Sequence, residues 1–123
     1  MWPFSASPTP SGPRYRSIDD DFAVAGQISA DDVAKLRDAG FKSILCARPD
    51  NEDSGQPSFS TIAAAAERAG MFSAHIPVAG MPGQGHLSQM QKALKDLPTP
   101  IFGYCRSGNR AGSLYGAAKQ ARG

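Results

Sequence analysis

Four short apolar stretches alternate with four helical patterns along this chain, and few folds accept that order. Phe22 and Val24 alternate as a strand. Ser29 then opens a helix with Asp31 and Asp32 in its first turn, Val33 and Leu36 on its buried stripe and Gly40 at its end. Phe41 to Cys46 reads as a buried strand, and the polar loop 47–56 follows it. A second helix from about Ser58 carries Phe59, Ile62 and Ala66 on one face and ends at Gly70. Phe72, Ala74, Ile76 and Val78 alternate as the next strand, with Pro77 marking an edge position or an early strand end. Leu87, Met90, Leu94 and Leu97 form a helical stripe that Pro98 and Pro100 terminate. Ile101 to Tyr104 is a fourth strand, and Ala111, Leu114, Ala118 and Ala121 mark a last helix. The order β-α-β-α-β-α-β-α predicts an α/β layer fold with a compact, mostly parallel sheet flanked by helices.

Composition narrows the class. A length of 123 residues suits one domain, and 41% hydrophobic residues suffice for a packed core. Residues 1–16 are rich in Pro, Ser and Gly, which predicts a disordered tail followed by one domain over 17–123. Arg14 and Arg16 are the only charges in that tail. The remainder is balanced, with 11 basic and 11 acidic residues. A neutral body argues against a nucleic-acid binder, which needs phosphate-neutralising cations. No apolar run is long enough to span a membrane. The N-terminus lacks the apolar segment of a secretory signal, so the expected compartment is the cytoplasm. Two cysteines do not build a disulfide scaffold, and in a reducing compartment cysteines more often do chemistry. His75 and His86 have no partners at metal-ligand spacing, so neither a metal nor a cofactor is expected.

The chemistry concentrates in Tyr104-Cys-Arg-Ser-Gly-Asn-Arg110. A strand ends at Cys105 and a helix opens near Arg110. In an α/β sheet this is where ligands bind, because the loop N–H groups and the helix N-terminus converge on one point. Arg106, Ser107, Gly108, Asn109 and Arg110 are therefore the expected cradle for a small tetrahedral oxyanion. The same field favours the ionised, nucleophilic form of the Cys105 thiol. A buried structural cysteine is the competing reading, and the flanking arginines argue against it.

These segments, with Val24-Ala-Gly-Gln-Ile, Ala39-Gly-Phe-Lys-Ser-Ile, Ala47-Arg-Pro-Asp50, Gly55-Gln-Pro and His75-Ile-Pro-Val78, resemble the phosphatase-like domain of beta-lactamase-hydrolase-like proteins. That is a bacterial family of the tyrosine-phosphatase superfamily. The resemblance covers everything beyond the tail and implies a dual-specificity-phosphatase-like fold. It also implies a hydrolase in which Cys105 attacks a phosphomonoester and Arg110 holds its oxygens.

The sequence departs from that pattern in four places, one of them Tyr104 where His commonly precedes the nucleophile. Four residues separate Cys105 from Arg110 rather than five, a spacing that resembles the rhodanese-type sulfurtransferase loop. Ala111 stands where a hydroxyl follows the arginine. The loop 79–85 carries no carboxylate where the general acid would fall. Asp50, Glu52 and Asp53 lie in another loop at a strand's carboxyl end. Any one of them could substitute, with Asp50 as the candidate acid; the competing reading is a set of solvated loop carboxylates. Cys46, in Leu45-Cys-Ala47, resembles the second cysteine that forms a protective disulfide in phosphoinositide-phosphatase relatives. It is a possible redox partner of Cys105, or a small buried hydrophobe. Three functions stay open: a phosphatase-like hydrolase, a sulfurtransferase working through a Cys105 persulfide, and a catalytically weak anion-binding module. The expected partner is a small anionic substrate, a phosphate ester or a sulfane-sulfur donor.

Overall fold

A computed structural model describes residues 13–121. Five strands and four helices follow the chain: β1 (Arg16–Ser17), β2 (Phe22–Ala25), α1 (Ala30–Asp38), β3 (Ser43–Cys46), α2 (Phe59–Arg68), β4 (Phe72–His75), α3 (Gln84–Asp96), β5 (Ile101–Tyr104) and α4 (Asn109–Ala121). The sheet order is β1-β2-β5-β3-β4. β2, β5, β3 and β4 run parallel, and β1 pairs antiparallel with β2. This is the expected mostly parallel α/β layer fold.

Local chemistry explains the boundaries. Ser29 N–H donates to the Asp32 carboxylate at 2.9 Å, tying the start of α1. The Ser58 hydroxyl accepts from Thr61 N at 3.2 Å and caps α2. The three inner strands β2, β3 and β5 are buried on both faces, as their near-continuous apolar sequences require. β4 lies at the edge of the sheet, where Pro77 placed it. One core layer gathers Phe22, Leu45, Ile101, Cys105, Met90, Leu114 and Tyr115 under α3 and α4. The other gathers Ala23, Ile44, Cys46, Phe102, Tyr104, Val33 and Ile62 under α1 and α2.

Two expectations need correction. The strand expected from Phe41 begins at Ser43, because Phe41 N–H donates to Leu36 O and belongs to the end of α1. The last residues of the expected disordered tail, Tyr15 and Arg16, are ordered. Tyr15 packs edge-on against Phe41 and Phe102, at 5.2 and 5.8 Å between centroids, and Arg16–Ser17 occupies the free edge of β2. Edge-on ring contacts and two ladder residues hold this short segment in place. Residues 1–12 of that tail lie outside the described residues.

Candidate active site

The register brings the site to one pole of the sheet. Ala25, Tyr104 and Cys46 are aligned across β2, β5 and β3, so the three following loops share the carboxyl-terminal edge. β5 hands over to Cys105, whose N–H donates to Ala25 O at 3.2 Å. The chain then turns through residues 106–108 into α4. Gly108 has φ +94°, a conformation that other residues adopt only under strain. Its N–H donates to Cys105 Sγ at 3.0 Å. Gly26 serves the site by having no side chain: a Cβ there would stand 2.8 Å from Arg106 O. The β2–α1 loop thus forms a wall against which the anion loop is set.

Cys105 is fully buried, with Gly108 N–H and the start of α4 converging on its sulfur. Arg110 sits one residue inside α4. Its Nη1 donates to Glu52 Oε2 at 2.6 Å and to Val78 O at 2.8 Å, and its Nη2 donates to Glu52 Oε1 at 2.8 Å. A guanidinium has five N–H groups. Three are committed to Glu52 and Val78 O, and the guanidinium also interacts with the Cys105 thiol. The Nε–H and the second Nη2–H form the parallel pair whose geometry suits two oxygens of one anion. Arg110 lies within electrostatic reach of Cys105, and Glu52 beside it raises its pKa further above the ordinary arginine value.

Glu52 is held in return. Arg110 and then Arg48, whose Nε donates to Oε1 at 3.0 Å, bring its carboxyl down to about 2. Arg48 is nearly inaccessible, at 3% exposure, so its charge needs partners. It has Glu52, Asp53 at 2.5 Å and Gln27 Oε1 at 2.9 Å, and its carbonyl bonds His75 Nε2 at 2.8 Å. The resulting chain Gln27–Arg48–Glu52–Arg110 links the β2–α1 and β3–α2 loops to the start of α4.

Each expected residue has a defined place. Arg106 is exposed and reaches Asp53 at 3.5 Å. Ser107 Oγ accepts from Asn109 N at 3.3 Å, at the mouth of α4. Asp50, the candidate acid, accepts from Phe59 N at 2.8 Å and ties the loop to the start of α2. Among the described residues it forms no bond to Cys105 or Arg110, and Glu52 is the carboxylate that meets the arginine. Cys46 and Cys105 end adjacent strands, but their side chains lie in opposite core layers and both are free thiols. Burial pushes the Cys46 thiol up, and the thiol contacts Arg48 O at 3.3 Å. Arg48, Gln27 and Val78 stand in the resemblance segments but are given no site role in the sequence reading. The acid-rich run Asp50-Asn-Glu-Asp53 after a strand-ending Cys-Ala-Arg was the available signal.

Comparison with known proteins agrees with this geometry. Residues 14–122 match the family described as beta-lactamase hydrolase-like protein, phosphatase-like domain. A beta-lactamase hydrolase-like protein of Agrobacterium fabrum is 37% identical over 99 residues, covering 80% of this chain and 23% of the relative. The chain therefore spans about a quarter of that relative's length. A crystal structure of a candidate phosphatase from Neisseria meningitidis superimposes with a TM-score of 0.77 at 29% identity, covering 88% of this chain and 78% of the other. The core catalytic domain of the PP-IP phosphatase SIW14 from Saccharomyces cerevisiae gives 0.67 at 17% identity, covering 89% and 67%, and shares the fold. Among the described residues no helix is long and apolar enough to cross a membrane. A mostly parallel sheet that delivers a buried cysteine and a pinned arginine to one pole, read with these matches, places the chain in the family of beta-lactamase hydrolase-like protein phosphatase-like domains.

Proposed function

We propose that this domain is a cysteine-dependent hydrolase of small phosphoryl compounds. The observation that carries the reading is Arg110 interacting with the Cys105 thiol while Glu52 and Val78 O fix its guanidinium, so that its Nε–H and second Nη2–H form a pair that can meet an anion at the sulfur. In this reading the Cys105 thiolate is stabilised by Gly108 N–H and the start of α4. It attacks phosphorus while the Arg110 pair and the loop N–H groups hold two of the equatorial oxygens. The P–O bond to the leaving group breaks. Water then attacks the phosphocysteine, the S–P bond breaks and the thiolate returns. Arg106, exposed at the rim, steers the anion inward.

A sulfurtransferase reading is favoured by one specific feature. The four-residue spacing gives a short loop, in which Gly108 N–H donates to the sulfur. Such a cradle suits a sulfane sulfur taken onto Cys105 and passed to an acceptor thiol. A paired assay on one sample separates the two: hydrolysis of 4-nitrophenyl phosphate against cyanolysis of thiosulfate, each with wild type and Cys105→Ser. The proposal expects Cys105-dependent phosphate release to dominate. Dominant thiocyanate formation supports the second reading. Neither activity, with phosphate still bound, leaves an anion-binding module.

A further inference from the structure

A phosphoryl transfer onto Cys105 must dispose of the electron pair on the leaving oxygen, and the side chains around the site determine how. The loop that begins at Val78, fastened to Arg110 Nη1, is Ala79-Gly-Met-Pro-Gly-Gln-Gly85, and none of these side chains carries an acidic proton. The carboxylates of the facing loop are all engaged. Glu52 is locked between Arg110 and Arg48 and is ionised down to about pH 2, so it has no proton to give at neutral pH. Asp53 is paired with Arg48 and Arg106. Asp50 faces the first N–H of α2. His86, in the first turn of α3, is turned back on its own helix start, where its Nδ1 accepts Gly83 N–H at 2.9 Å.

We infer that this hydrolase takes phosphoryl groups from leaving groups stable as anions, an aryl oxide or the second phosphate of a phosphoanhydride, and discriminates against alkyl phosphates. The inference rests on the hydrolase reading and names its substrate class. The S–P bond forms as the P–O bond breaks. The electron pair departs on the leaving oxygen, which takes a proton from bulk water only after release. In the second step water adds to phosphorus, sulfur leaves as thiolate, and the water's proton stays with the phosphate product.

The test is kcat/KM of the wild-type protein, with Cys105→Ser as blank, on 4-nitrophenyl phosphate, phenyl phosphate, glycerol 2-phosphate and inorganic pyrophosphate. General acid assistance is worth about 10²- to 10⁴-fold, so the alkyl ester is expected to fall at least about 10²-fold below the nitrophenyl ester, with phenyl phosphate between them. Turnover of pyrophosphate at a rate comparable to the nitrophenyl ester assigns the natural leaving group to the anhydride class, and its failure assigns it to the aryl class. An alkyl ester hydrolysed within about tenfold of the nitrophenyl ester, where assistance of the usual size must be present, overturns the inference and leaves the hydrolase reading standing. No Cys105-dependent turnover of any of the four removes the hydrolase reading, and the inference with it.

Discussion

Glu52 grips Arg110 with both carboxylate oxygens, at 2.6 and 2.8 Å, across 58 positions of sequence. The contact fixes the plane of the guanidinium and leaves its other edge for an anion. It also makes the site economical in charge. Glu52 and Asp53 offset much of the positive charge of Arg48, Arg106 and Arg110, so specificity in this pocket comes from fork geometry more than from net attraction.

Glu52→Gln keeps the shape but removes the charge that aligns Arg110. A hydrogen bond to a charged group contributes about 1.5–3 kcal/mol, so kcat/KM on 4-nitrophenyl phosphate is expected to fall at least about tenfold. The loss belongs in kcat, because the charge that attracts the anion is retained. A change confined to KM would mean that Glu52 tunes binding and not alignment.

Arg110→Ala is expected to weaken inorganic phosphate binding more than Arg110→Lys. Neither restores wild-type affinity, because a lysine keeps the charge but cannot hold Glu52, Val78 O and two anion oxygens at once. Isothermal titration with phosphate measures this. Wild-type affinity in the lysine variant would show that the fork is not used.

Gly26→Ala directs a methyl group to within 2.8 Å of Arg106 O and forces the anion loop outward. Overpacking of this kind costs about 1–3 kcal/mol, and both the Tm and the phosphate affinity are expected to drop. Gly116→Ala is the control. It lies in α4 with no atom within 4 Å of its added Cβ, and in a helix interior alanine is favoured by about 1 kcal/mol. Its Tm is expected to rise with phosphate affinity unchanged.

Acid stability follows from two carboxylates at opposite ends of the domain. Arg110 and Arg48 lower Glu52 from 4.5 to about 2. Burial alone would raise Asp19, but bonds from Tyr115 and Lys119 bring it from 3.8 to about 2. For a depressed carboxyl, the stabilisation is complete above the unfolded-state value and is lost as pH falls through the folded-state value. Thermal melts are therefore expected to hold steady above about pH 4.5 and to fall steeply toward pH 2. Glu52→Gln is expected to flatten part of that fall. An unchanged acid limb in this variant would show that the Glu52 pair does not stabilise the fold.

Most of the layer order is legible in the sequence because strands and helices announce themselves locally. Gly40 and Gly70 close α1 and α2 with positive φ, and Ser29 and Ser58 open them. Cys105, Gly108 and Arg110 are legible for the same reason, since one turn of chain joins a strand end to a helix start. The partner of Arg110 is not. Asp50, Glu52 and Asp53 are chemically alike within four residues, and which one faces the arginine depends on how Arg48 is buried against Gln27, a contact 21 positions apart. β1 is illegible too. Two residues carry no periodicity, and their strand conformation comes from the open edge of β2 and from Tyr15 on Phe41 and Phe102.

The most direct test of Cys105 as a phosphoryl acceptor is mass spectrometry of acid-quenched protein during turnover of 4-nitrophenyl phosphate, with peptide mapping and Cys105→Ser alongside. The expected result is one phosphoryl group on the peptide carrying Cys105, absent from the serine variant. An unmodified Cys105 peptide in that sample, together with an added sulfur atom on Cys105 after thiosulfate, would contradict the hydrolase account and identify the domain as a sulfur carrier.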